Sequence, residues 1–148
     1  RDASGAVKVQ SARHNITARN LINDVRSRLK TAQTVAAGDL YANIAACSTA
    51  QAGISATDGV ATTACTLSSN IGTNPVLGTL ADLSESGNYT VANTFTATGA
   101  STIAELELSK SLVASTAPVV GAIGAVQAVS ITLASGDTLA VTWTIHLD

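Results

Sequence analysis

The chain has 148 residues and a net charge of −2 at neutral pH, and only 12% of its residues are charged and 3% aromatic. A chain of this length can bury one core of its own, but ordinary soluble domains carry about twice this share of charged residues. The composition argues against an enzyme and favours a structural protein whose surface is covered by neighbouring subunits.

Basic residues are concentrated at the start of the chain. Residues 1–30 hold seven basic and two acidic residues, a net charge of +5, whereas residues 31–148 hold one basic and eight acidic residues, a net charge of −7. We therefore divide the chain into a basic leader, residues 1–30, and a body, residues 31–148. The leader residues that we expect to contact a neighbouring subunit are Arg13, Arg19, Arg26, Arg28 and Lys30.

The leader is predicted to contain an extended arm, residues 1–12, followed by one amphipathic helix from Ile16 to Leu29. Apolar residues recur there at helical spacing, and basic residues occupy the other side. A solvated helix face is the alternative interpretation of these charges. We favour docking on protein over binding of nucleic acid, because residues 1–30 contain no aromatic side chain on which bases could stack.

The middle of the chain gives weaker signals. Turn pairs such as Asn74-Pro75 separate short segments, and we predict strands at residues 40–46 and 60–67, although the alanine-rich run at 44–46 also suits a short helix. Cys47 and Cys65 are the only cysteines. They form either one disulfide or two buried thiols in a reducing compartment, and the sequence leaves both open.

The last sixty residues predict strands by alternation of apolar and polar side chains. In Ile103–Leu108, one face carries Ala104, Leu106 and Leu108. The other face carries Glu105 and Glu107. We interpret the two glutamates as a solvated strand face. The alternatives are a cation site and a contact with the leader of another copy.

The clearest signal is at the end of the chain. Residues 129–133 lead into Ser135-Gly136-Asp137, and residues 139–147 alternate again, which predicts an antiparallel hairpin with Trp143 as a core anchor. Short strands with turns between them favour an antiparallel β-sandwich, with a jelly roll as one arrangement. The strands lack the charges and prolines that protect sheet edges, so either another subunit or the arm covers those edges.

Residues 94–100 (TFTATGA), the glutamate-bearing strand at 102–105 and residues 135–145 (SGDTLAVTWTI) resemble a pattern in structural proteins of tailed bacteriophages. The resemblance covers residues 90–147. It implies a β-domain of the virion, such as a capsid decoration protein, a head-to-tail component or a tail protein. Residues 106–109 depart from the pattern, so it does not select one position in the particle.

No catalytic, cofactor-binding or metal site is predicted, because His14 and His146 are far apart in sequence and have no nearby ligand partner. We predict a non-enzymatic virion protein whose partners are copies of itself and neighbouring virion proteins, with no membrane and no small-molecule substrate. The alternative is an extracellular filament subunit at the cell surface, assembled by strand complementation.

Overall fold

The structure is a computed structural model that describes Gly5 and residues 16–17, 41–49, 65–83, 88–110 and 123–145. These ranges contain strands and no helix, which confirms the prediction of a mainly β chain. The strands are β1 (Ile16–Thr17), β2 (Tyr41–Thr49), β3 (Thr66–Leu67), β4 (Val76–Leu77), β5 (Thr79–Leu83), β6 (Asn88–Thr96), β7 (Ser101–Lys110), β8 (Ile123–Leu133) and β9 (Thr138–Ile145).

The start of the predicted amphipathic helix is wrong. Ile16 and Thr17 form β1, and they pair with Val126 and Ala125 of β8. Both residues are β-branched, which favours a strand over a helix when a sheet edge is available for pairing. Residues 18–29, the rest of the predicted helix, and the arm at 1–12 (apart from Gly5) lie outside the described ranges.

The strands form two antiparallel sheets. The larger sheet has the order β1-β8-β7-β2-β3, with β4 also paired to β2, and the smaller sheet has the order β5-β6-β9. The predicted strand at 40–46 is therefore β2, in the larger sheet. Of the predicted strand at 60–67, only Thr66 and Leu67 form a described strand, and residues 60–64 lie outside the described ranges.

The two sheets share one hydrophobic core, as in a β-sandwich. On the larger sheet Ile44 pairs with Leu108, and on the smaller sheet Val91 pairs with Trp143. All four are buried and belong to one contact cluster, and Trp143 is only 6% exposed. The prediction that Trp143 anchors the core is confirmed.

The predicted C-terminal hairpin is wrong, because β8 and β9 belong to different sheets. β8 pairs with β7 and β1, and β9 pairs with β6. The turn between them is tight: the Asp137 amide donates to the Ala134 carbonyl at 3.1 Å, and Gly136 has a φ of 85°. Alternation in a sequence tells which residues share a face but not which strand lies alongside, so a turn of this length fits a crossing between sheets equally well.

Candidate assembly surface

The face of the smaller sheet that points away from the core carries only threonine and alanine over its described side chains. Successive residues of a strand point to opposite faces, and the core takes Val91 and Phe95 of β6 and Val141 and Trp143 of β9. The opposite positions are each exposed or half-buried. We call these ten residues the threonine face: Thr79, Ala81, Thr90, Ala92, Thr94, Thr96, Thr138, Ala140, Thr142 and Thr144.

Strand pairing arranges the threonine face in rows. Thr96 lies opposite Thr138, and Thr90 lies opposite Thr144, across the β6–β9 ladder. Neighbouring strands are about 4.8 Å apart, and same-face residues of one strand are about 6.8 Å apart. Each threonine offers one hydroxyl group and one methyl group, so the surface has uncharged donors, acceptors and apolar contacts at regular intervals. Such a surface is suited to packing and hydrogen bonding against another macromolecule.

β9 is the last described strand of the smaller sheet, so the side of β9 away from β6 forms an edge of that sheet. All eight residues of β9 pair with β6 in an uninterrupted register. From Leu139 to Ile145 the other side of the strand pairs with no described strand. These seven residues contain no charged side chain, no proline and no glycine.

The interpretation of Glu105 and Glu107 as a solvated face is wrong. They do lie opposite to Leu106 and Leu108 in the alternation, yet Glu105 is 4% exposed and Glu107 0% exposed. Both faces of β7 are therefore buried from Glu105 to Ser109. Alternation separates two faces of a strand, but it does not reveal whether the more polar face is covered.

Cys47 and Cys65 are joined by a disulfide, with 5.9 Å between their Cα atoms. The bridge ties β2 to the segment that leads into β3, and both residues pack with Ala45 and Leu67 in a small buried cluster. A carboxylate oxygen of Glu107 lies within 4.8 Å of both sulfur atoms. Because each sulfur is bonded to the other, the group offers no thiolate, which is the form of cysteine that binds metals.

The leader residues predicted to contact a neighbour, Arg13, Arg19, Arg26, Arg28 and Lys30, lie outside the described ranges. The pairing of β1 with β8 nevertheless fixes part of the leader at the edge of the larger sheet. Lys110 is the one basic residue of the described ranges, and its Nζ lies 5.7 Å from the centre of the Tyr41 ring. This distance is within the range of a cation–π contact.

Sequence reasoning noted the alternation in β6 and β9 but missed the threonine face. The signal is present in Thr94-Phe95-Thr96 and Thr142-Trp143-Thr144, where a buried aromatic residue lies between two threonines that share the opposite face. Reading the outward positions of each strand together, rather than the inward ones alone, identifies it.

Comparison with protein-family models, with curated proteins and with solved structures found no match to this chain. Over the ranges that the structure describes, no helix has the length and apolar character needed to cross a membrane.

Proposed function

We propose that this chain is a non-enzymatic structural subunit of a tailed-bacteriophage virion, which assembles with its own copies or coats a shell. The observation that carries the proposal is the threonine face. A solvent-facing surface of a monomeric protein normally mixes charges of both signs, which maintain solubility. Ten neighbouring positions without one charge suit a surface that is covered in the working state.

The unequal charge of the two parts of the chain supports an anchoring role for the leader. Residues 1–30 carry +5 and residues 31–148 carry −7, so the leader of one copy and the body of the next attract each other. In this proposal Arg13, Arg19, Arg26, Arg28 and Lys30 make the charged contacts with a neighbouring subunit. Capsid decoration, the head-to-tail junction and the tail remain the candidate positions.

We further propose that the two sheets are arranged as a jelly roll. The antiparallel pairing throughout and the crossing from β8 in one sheet to β9 in the other support this arrangement.

A cell-surface filament subunit is the second candidate, and the disulfide supports an extracellular location for it. Disulfides persist in oxidising environments outside the cytosol, and the Cys47–Cys65 bridge is a buried cross-link between β2 and the segment before β3. An extracellular filament and the outside of a virion both meet this condition. A filament differs in that the purified subunit polymerises without any shell or tail.

The test of the leader's role is charge reversal. A chain with Arg19→Glu, Arg26→Glu and Arg28→Glu is produced alongside the wild type in cells that make the native assembly, and its incorporation is measured by sedimentation and electron microscopy. We expect incorporation to be lost, because the reversed leader repels an acidic body. A matched variant with lysine at the same three positions keeps the charge and is expected to assemble.

The near-ultraviolet circular dichroism of Trp143 shows whether each variant is folded. If the triple glutamate variant is folded and enters assemblies as often as the wild type does, the leader does not anchor the subunit. Particles with a shell or tail in these micrographs support the virion proposal. Filaments in separate micrographs of the purified chain alone support the second candidate.

A further inference from the structure

We infer that β9 pairs through its outer edge with β9 of a second copy of this chain, so that two smaller sheets join into one continuous antiparallel sheet. This inference rests on the proposed function, because it names the contact through which the subunits assemble. It adds the strand, the partner and the direction of pairing.

The first argument is the absence of edge protection. Natural edge strands avoid pairing with other chains by being short, by carrying charges or prolines, or by containing a bulge. β9 pairs with β6 over eight residues without a shift in register, and Leu139–Ile145 contains neither a charge nor a proline. An edge of this kind is a template for another strand.

The second argument identifies the partner. Two identical uncharged strands do not repel each other, whereas a basic or acidic strand finds no opposite charge to pair with on β9. Two copies related by a twofold axis present the same strand in opposite directions, which is the geometry of an antiparallel ladder. The partner that β9 fits on both counts is another β9.

The third argument is that this pairing extends both faces of the sheet without a mismatch. Outward residues such as Thr142 continue the threonine face into the second copy, and inward residues such as Val141 stay on the side of the core. A strand in any in-register antiparallel pairing keeps its alternation, so no apolar side chain is turned toward solvent.

The test compares one added charge at two positions of the same face. Thr142→Lys places a lysine on the edge strand, and Thr94→Lys places it on β6, the central strand, where it does not touch the edge. Both threonines are exposed, so both variants are expected to fold. Light scattering coupled to size-exclusion chromatography measures the dimer, and hydrogen exchange measures the protection of the β9 amides.

We expect the full-length wild type to dimerise with protected β9 amides, Thr94→Lys to match it, and Thr142→Lys to raise the dimer dissociation constant by at least about tenfold. A wild type that stays monomeric overturns the inference, and so does a Thr142→Lys chain that dimerises as the wild type does. Equal weakening by both lysines also overturns it, because the contact then involves the face rather than the edge.

These outcomes are independent of those for the proposed function. If Thr142→Lys loses the dimer but still enters native particles or filaments, the edge contact does not serve assembly, and the structural role stands. If neither the wild type nor any variant enters an assembly, the proposed function fails even where a dimer forms in solution.

Discussion

Asn74 shows how one side chain replaces backbone pairing where a strand ends. Its Oδ1 accepts a hydrogen bond from the Ala46 amide at 3.0 Å, and its Nδ2 donates to the Ala46 carbonyl at 2.7 Å. The same Nδ2 also donates to the Ser68 carbonyl at 3.2 Å. The amide group thus satisfies polar atoms of β2 between the short strands β3 and β4, next to the core.

Replacing Asn74 by alanine is expected to lower the free energy of unfolding by about 1–3 kcal/mol, because the Ala46 amide loses its hydrogen bond to the side chain and the Ala46 carbonyl keeps only the Ser68 amide as a donor outside the strand pairing. Urea denaturation followed by Trp143 fluorescence measures this. Asn70→Ala is the matched control, since Asn70 donates one exposed hydrogen bond, to the Ala100 carbonyl, and we expect a smaller loss. Equal losses for the two variants contradict the role assigned to Asn74.

At the scale of elements, Gly78 lies where the chain passes from the larger sheet to the smaller one. β4 ends at Leu77 and β5 begins at Thr79. The Gly78 amide donates to the Ala42 carbonyl at 2.7 Å. A Cβ atom at this position meets Cγ1 of Val91 at 2.6 Å and carbonyl oxygens at 3.2 and 3.3 Å. The crossing therefore has space only for glycine.

Gly78→Ala is expected to destabilise the fold by about 1–3 kcal/mol, because the added methyl group overpacks a buried position between the sheets. Gly72→Ala is the control, since the nearest atom to a Cβ there is the Thr96 carbonyl oxygen at an ordinary 3.6 Å. Thermal unfolding of both variants measures the difference. A Gly78→Ala chain as stable as Gly72→Ala shows that the crossing relaxes without cost.

The elements also show where sequence reasoning succeeded. The alternation in Ile103–Leu108 and around Trp143 predicted β7 and β9 and the core positions of Leu106, Leu108 and Trp143, because burial of one face imposes a period of two. It wrongly placed Ala104 rather than Ile103 on the core face, because the register shifts between Ile103 and Glu105. It did not predict that β8 and β9 lie in different sheets, since the turn at Gly136 permits either arrangement. Sequence reasoning also predicted a helix from Ile16, whereas Ile16 and Thr17 form a strand because they pair with β8.

The sequence likewise predicted some features of the candidate assembly surface and not others. The sequence predicted strands with unprotected edges. β9 has such an edge, because its side away from β6 pairs with no described strand. It did not predict the threonine face as one surface, because that surface depends on the register that aligns β5, β6 and β9. Nor did it predict the burial of Glu105 and Glu107, which depends on what lies over the larger sheet.

At the scale of the whole molecule, the disulfide compensates for a core built from small side chains. The core cluster includes three alanines of the larger sheet and one of the connection between β6 and β7: Ala42, Ala46, Ala125 and Ala97. Alanine buries less apolar area than leucine or phenylalanine and so contributes less to stability. The Cys47–Cys65 bridge spans 18 residues, and it limits the unfolded chain rather than adding volume to the core.

Reduction of this bridge is expected to lower the free energy of unfolding by about 3 kcal/mol, the chain-entropy value for a loop of this length. Urea denaturation of the wild type with and without a dithiol reductant measures it, and the reduced protein keeps both sulfur atoms in place. The double variant Cys47→Ala, Cys65→Ala is expected to lose somewhat more, because it also leaves a cavity beside Ala45 and Leu67. If reduction costs less than about 1 kcal/mol while the double variant costs several, the sulfur atoms stabilise the fold by packing, and the cross-link itself is not what compensates for the small core.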